Sequence, residues 1–401
     1  MERYRLTGID SEGADSGAAR VRRREVLAAG ALAGALLAPA GPAAAVAATQ
    51  ARATRAAGAS GLAPLFGPTD GVALLSRNEN PFGPAPSALA AIRETAAEGC
   101  YYANRGLDRL RAMIAERAGL AREQVVVSSG SAEVLSAIAL AFARRGAFLC
   151  PELFWDAPAR YGERVGARVV RVPLAPDMGI DLAAITRAVT PETALVLLCN
   201  PNNPTGRTLP PAELRAFVRG LPPSVTVLVD EAYNELTADP EGNSALGLLK
   251  EGRRVIVTRT FSKIYGMAGL RVGYALMPGD LAGEIEPLLM SFGGNTAGLA
   301  AAIASFDDAA FLARSRAAIA EAREMIVEAA RAAGLVSLPS EANFVFIRVP
   351  DADALQKAMA ARGVMIRGSY GRWKEWSRVS TGRLEDVRRF AALLPQLVQS
   401  A

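Results

Sequence analysis

The chain has 401 residues, 51% of them hydrophobic and 21% charged, which supplies apolar material for two domains with sizeable cores and excludes wholesale disorder. A net charge of +5, with no basic run in the body of the chain, argues against nucleic acid as a partner. Histidine is absent and the three cysteines include no Cys-x-x-Cys pair, which excludes Ser–His and Cys–His nucleophiles and His-based metal sites, and argues against a disulfide framework or any other metal site.

In chain order, residues 1–47 have the layout of a secretory signal: Arg22-Arg23-Arg24, a long Ala, Gly and Leu run broken by Pro39 and Pro42, and a small-x-small exit at Ala45-Val46-Ala47. The paired arginines followed by apolar residues resemble the twin-arginine type, so an exported, periplasmic or extracellular protein is expected, with no stable membrane association once the signal is removed. An uncleaved anchor is the alternative, disfavoured by the weak hydrophobicity of Ala and Gly and by the two prolines. Residues 48–65 read as a linker and 66–105 as an N-terminal arm.

From there the pattern alternates. Apolar runs at Val125–Val127, Ala147–Cys150, Val169–Val172, Ala194–Cys199, Val225–Val229, Val255–Val257 and Val272–Ala275 are separated mostly by stretches with helical spacing. Strands alternating with helices predict an α/β fold with a mainly parallel sheet, here a large domain over residues 106–300. A long Ala/Glu/Arg helix from about residue 308, the run Ala342–Ile347 and a helix from Leu384 predict a smaller α+β domain over 301–401. Cys150 and Cys199 end apolar runs and read as small buried hydrophobes.

Ligands of open parallel sheets sit at the carboxyl ends of the strands, so the polar residues that follow the apolar runs carry the functional argument. Ser128-Ser129-Gly130-Ser131-Ala132 opens a helix, where free N–H groups and the helix dipole suit a phosphate; an ordinary capped turn has the same appearance. Asn200-Pro201-Asn202-Asn203-Pro204-Thr205-Gly206 displays amides at a strand end. Asp230, in Asp230-Glu231-Ala232-Tyr233, leaves an apolar strand, where it needs a cation partner or serves as a helix cap. Lysine occurs only at Lys250, Lys263, Lys357 and Lys374 in a chain whose basic residues are nearly all Arg. Lys263 alone lies among hydroxyls and glycines, in Thr260-Phe261-Ser262-Lys263, with Arg271 eight residues later. A lysine in an apolar site loses its proton readily and attacks carbonyls. Phosphate donors, a displayed amide, a carboxylate for a pyridinium and an amine for an aldehyde together describe a site for pyridoxal 5'-phosphate.

With these residues in view, the chain resembles the fold type I aminotransferases of class I/II, in the histidinol-phosphate aminotransferase-like branch, over roughly residues 76–395. The matching segments are Ser76-Arg77-Asn78-Glu79-Asn80-Pro81, Asn203-Pro204-Thr205-Gly206, Asp230-Glu231-Ala232-Tyr233 and Ser262-Lys263 with Arg271. The resemblance implies that Lys263 forms the Schiff base and shuttles the proton, that Asp230 pairs with the ring nitrogen, and that Asn203 and Tyr233 hold the ring oxygen. It assigns the phosphate to the N–H groups of Ser131 and Ala132 with Thr260, Ser262 and Arg271, and ring stacking to Trp155, with Phe154 as alternative. Arg378 would grip the substrate carboxylate or phosphate, with Asn80 and Asn343 near the substrate. Tyr102, with Tyr101 as alternative, would reach the phosphate of a neighbouring subunit, implying a homodimer.

The expected reaction is transamination between an amino acid or amino-phosphate donor and a 2-keto acid. Export and the aromatic stretch Tyr370–Trp376 direct the expectation to an amino donor outside histidine biosynthesis, aromatic or basic in character. Two other readings use the same residues: a decarboxylase, lyase or amine-oxidising enzyme on this scaffold, and an exported non-catalytic protein that binds amino acids or the cofactor.

Overall fold

Odd and even residues of the central strands part company. Val125, Val127, Val227 and Val229 belong to one apolar cluster, while Val126, Leu228 and Ile256 belong to another. This period of two places successive side chains on opposite faces, and both faces are covered, so each strand is a near-continuous apolar run. The structure is a computed structural model that describes residues 64–291 and 293–399. The export signal expected over residues 1–47, and residues 48–63 of the expected linker, lie outside the described residues.

The strands are β1 (Ala73–Leu74), β2 (Val125–Ser128), β3 (Ala147–Pro151), β4 (Val169–Val172), β5 (Thr193–Cys199), β6 (Thr226–Asp230), β7 (Val255–Thr260), β8 (Gly273–Leu276), β9 (Val336–Ser337), β10 (Phe344–Arg348), β11 (Val364–Met365) and β12 (Trp376–Ser380). Seven of them form one sheet in the order β2-β8-β7-β6-β5-β3-β4. All its pairings are parallel except the two made by β8, which runs antiparallel to β7 and β2. Helices such as Asn104–Ala118 and Pro211–Gly220 cover one face, and Ser131–Phe142, Ala157–Arg164 and Gly279–Ile285 the other. Each fully buried Val, Leu or Ile contributes roughly 1.5–3 kcal/mol relative to exposure, so a charge at Leu228 or Val229 would unseat both β6 and the residues after it.

The antiparallel β8 decides where the chemistry lies. A parallel neighbour of β7 would require a crossover to the far end of the sheet. Instead residues 261–272 turn across the carboxyl end of the sheet and bring Lys263 and Arg271 with them. That end also receives the chain leaving β5 and β6 and, because Ser128 pairs with Gly273, the chain leaving β2.

A third apolar cluster lies beneath the three-stranded sheet β12-β10-β9 and the helices Ala352–Ala360 and Leu384–Gln399. Ala73 and Leu75 of the N-terminal arm belong to it, since β1 pairs with β11 in parallel register. The helix Ala309–Ala332 is capped by Asp308, whose carboxylate accepts from the N–H of Phe311, and spans two cores. Phe311 and Ile319 pack under the large sheet, Ala322 to Ala330 in the third cluster. Among the described residues no single helix is long and apolar enough to cross a membrane.

Candidate active site

At the carboxyl end of the large sheet a cavity of about 250 Å³ is lined by Arg77, Asn78, Ser131, Ala132, Trp155, Asn203, Asp230, Ala232, Tyr233, Thr260, Ser262, Lys263, Arg271 and Arg378. The sequence spreads these groups from Arg77 to Arg378.

One wall is built for a phosphate. Gly130 precedes the Ser131–Phe142 helix with φ 76°, and no side chain caps that helix, so the first N–H groups face outward without intrahelical partners. A β-carbon at Gly130 would collide with the guanidinium of Arg271, and one at Gly273 with the backbone nitrogen of Ser131. Only glycine at both positions lets helix, arginine and β8 converge. The hydroxyls of Thr260 and Ser262 bond each other at 2.9 Å beside this wall. Arg271 itself adopts left-handed geometry, φ 54°, and its guanidinium donates to Ala268 O at 2.9 Å. A non-glycine residue held there stores strain that the surrounding fold must offset.

The opposite wall suits a ring. Asp230 is 6% exposed and, among the described residues, has no ion pair within 4.0 Å. Burial pushes its carboxyl up to about 6, against the Thr258 hydroxyl, the Ala232 N–H and the charge of Lys263, which favour the anion. A protonated ring nitrogen is the partner such a carboxylate lacks. Tyr233 accepts from the amides of Asn78 at 3.0 Å and Asn203 at 3.2 Å. A phenol has two acceptor positions and one proton, so with both acceptors used its own proton is left to be donated into the cavity.

Lys263 donates to the carbonyl of Asn78 at 3.0 Å. Burial, and secondarily the Arg378 guanidinium, pull its ammonium down to about 8, so that the neutral amine is accessible near neutral pH. Arg378 is itself buried and makes no ion pair among the described residues. It donates to Asn203 Oδ1 at 2.6 Å and to Ser76 O at 2.7 Å, and its Nε has no partner. A buried, unpaired guanidinium is a receptor for a carboxylate or phosphate.

Of the residues singled out in the sequence, the cavity gathers Lys263, Asp230, Tyr233, Ser131, Ala132, Trp155, Asn203, Thr260, Ser262, Arg271 and Arg378. Phe154 lies only in a wider chamber that opens on it. Asn80 does not line the cavity: its amide donates to Ile264 O and Ser315 Oγ, clamping the arm to the Lys263 segment. Asn343 is fully buried one layer back, where its amide donates to Asn78 O at 2.9 Å. Tyr101 and Tyr102 are mostly exposed and flank an apolar groove with Leu299 and Ile303, outside this cavity.

Asn78 is the residue that sequence reasoning missed. It has φ 56°, receives the Lys263 amine on its carbonyl and braces Tyr233 with its amide. The Ser76–Pro81 motif pointed to the segment, but nothing in it says which asparagine faces inward. The Asn200–Asn203 stretch behaves the same way. Asn200 and Asn202 are spent on Asn243 O, Leu153 O and Thr205 Oγ1, bracing the loop that presents Asn203.

The chain matches the aminotransferase class I and II family over residues 70–394. Histidinol-phosphate aminotransferase 1 of Dechloromonas aromatica is 38% identical over 331 residues, 82% of this chain and 90% of that protein. Histidinol-phosphate aminotransferase of Symbiobacterium thermophilum is also 38% identical, over 325 residues, 80% of this chain and 89% of that protein. Among solved structures, histidinol-phosphate aminotransferase from Sinorhizobium meliloti in complex with pyridoxal-5'-phosphate superposes with a TM-score of 0.75 at 32% identity, covering 82% of this chain and 91% of that one.

Proposed function

The chain belongs to the class I and II aminotransferases, enzymes that work with pyridoxal phosphate, and from that membership we propose that its amino donor carries a distal anionic group. The observation that carries this reading is the chamber of about 700 Å³ that opens on the cofactor cavity. Arg77, Arg160, Arg367 and Arg378 line it, against the acids Glu152 and Asp156. Glu152 is paired with Arg372 and Asp156 with Arg160, while Arg77 and Arg367 have no ion pair among the described residues. Three arginines, Arg77, Arg367 and Arg378, therefore line the chamber without a paired carboxylate, which suits a phosphate or second carboxylate and opposes the basic donor that the sequence left open. The similarity to histidinol-phosphate aminotransferases accords with an amino-phosphate donor.

The residues present fit the cofactor. The helix N-terminus with Thr260, Ser262 and Arg271 would hold its phosphate, Trp155 the ring face, Asn203 and Tyr233 the ring oxygen, and Asp230 the ring nitrogen. When bound, pyridoxal phosphate supplies an electron sink for bond making and breaking at the donor's α-carbon. Arg378 orients the donor by its acidic group. Lys263 Nζ, whose neutral form burial makes accessible near neutral pH, would take the proton from the donor's α-carbon and later give it back. Tyr233 would donate its proton toward the ring oxygen, and Asp230 would keep the ring nitrogen protonated.

The test is the visible spectrum of purified protein with a panel of donors, in the wild type and in an Arg77→Ala/Arg367→Ala double variant. The band should bleach with histidinol phosphate or dicarboxylic amino acids and return with a 2-keto acid. The double variant should raise KM for those donors about tenfold or more and leave KM for alanine unchanged. Preference for uncharged donors, with KM insensitive to the two arginines, would refute the reading. Loss of the donor carboxyl as carbon dioxide, with no keto acid formed, would assign a decarboxylase.

We also propose export through Arg23-Arg24 and action as a homodimer in which Tyr102 reaches the partner's phosphate site. The twin-arginine layout supports the first. The second is supported by two largely exposed tyrosines beside an apolar groove, a surface that association would cover. Arg23→Lys/Arg24→Lys should retain the protein in the cytoplasm, and undiminished export would remove the twin-arginine reading.

A further inference from the structure

Thr258 lies in the middle of β7, flanked by Val257 and wholly buried, where an apolar side chain would be the ordinary choice. A buried hydroxyl without a partner is costly, so its bonding identifies its use. The register of the parallel β6–β7 ladder sets Thr258 directly beside Asp230, and its hydroxyl donates to Asp230 Oδ1 at 3.0 Å. The hydroxyl has a single proton, and giving it to Oδ1 casts the carboxylate as acceptor. The backbone reinforces the arrangement: the carbonyl of Thr258 accepts from the N–H of Glu231 at 2.9 Å, fixing the peptide that follows Asp230.

We propose that Thr258 is the positioning residue for Asp230: its hydroxyl holds the carboxylate ionised and aimed into the cavity, so that the shared proton resides on the cofactor's ring nitrogen and not on Asp230. The inference rests on the reading of this cavity as a pyridoxal phosphate site. Other groups around Asp230 leave the anion in need of such help. Burial opposes it first, and Glu231, the next residue, adds a like charge. Lys263 favours the anion but is itself pulled toward neutrality. Cys199, paired with Asp230 across the β5–β6 ladder, and Tyr233 both have their protons held on by burial and supply no positive charge. The hydroxyl of Thr258 and the N–H of Ala232 remain as neutral donors, and only the first can be removed by a side-chain substitution.

The experiment uses cofactor-loaded wild type, Thr258→Val and Thr258→Ser. The wild type is first examined for uptake of pyridoxal phosphate with a visible band; no uptake would fault the site reading itself and is thereby distinguished from failure of the present inference. The visible absorbance is then titrated with pH, and the donor half-reaction is timed. A hydrogen bond to a charged acceptor is worth enough to move a coupled titration by about one pH unit and a rate by about tenfold. Thr258→Val should move the midpoint upward, because a ring that loses its positive charge binds the remaining proton more tightly. It should lower kcat by about that tenfold with KM for the donor unchanged. Thr258→Ser, which keeps the hydroxyl, should restore both. An unmoved midpoint and unchanged kcat in Thr258→Val would overturn the proposal, as would a serine variant as impaired as the valine one, since packing alone would then explain the loss.

Discussion

Lys263→Ala is expected to abolish transamination, lowering single-turnover conversion of an amino donor by about 10⁴-fold while the protein stays folded and still binds the cofactor's phosphate. The magnitude follows from two roles concentrated in one atom. On the proposed function Nζ would both capture the aldehyde and carry the α-proton, and Lys263 is the only lysine among the residues that line the cavity. Asp230, as an anion beside the ring nitrogen, and Tyr233, with its proton directed at the ring oxygen, would both be committed to the ring, so neither replaces it. The fold should tolerate the change. Lys263 is partly exposed, its one side-chain hydrogen bond goes to Asn78 O, and Asn78 is held independently by Ser380 and Asn343. Stopped-flow spectroscopy on reconstituted protein, with thermal melting as control, measures both halves. Full transamination by Lys263→Ala would remove Lys263 from the chemistry, whereas unchanged biological activity without transamination would reinstate the non-catalytic binding protein, for which Lys263 has no task.

Asp230→Ala should cost about 10²–10³-fold in kcat, whereas Trp155→Phe should cost less than about tenfold. The first removes the only carboxylate that lines the cavity and with it, on the proposed function, the charge that would keep a proton on the ring nitrogen. The second exchanges one apolar stacking face for another at a partly exposed position. Because Asp230 is buried, its loss also leaves the Thr258 hydroxyl and the Ala232 N–H without their acceptor, so melting temperature must be measured beside turnover. Comparable kinetic losses in the two variants would mean that the ring does not lie between Trp155 and Asp230.

Much of this was legible in sequence because it is local. Seven apolar runs become the seven strands of the large sheet, with ends displaced by at most three residues. A buried strand is determined by its own side chains. Lys263 stood out by scarcity and by its hydroxyl and glycine neighbours, and Asp230 by ending an apolar strand with a charge. In both cases burial makes the residue type anomalous unless it has chemistry to perform.

Proximity between distant segments was not legible. That Asn78 and not Asn80 faces Lys263 depends on a left-handed backbone at one position and on which amides Ile264 and Ser315 consume. Thr258 is an unremarkable strand threonine until the β6–β7 register sets it against Asp230. The unpaired state of Arg77 and Arg367 depends on which carboxylates Arg160 and Arg372 have already taken. The sequence by itself determined the alternation of strand and helix, the family and the residue types that the chemistry requires, since these follow from local burial and periodicity. Only the tertiary structure decided which donors are spent on the fold and which remain for a ligand, because hydrogen-bond capacity is finite and is allocated between segments that meet only when the chain has folded.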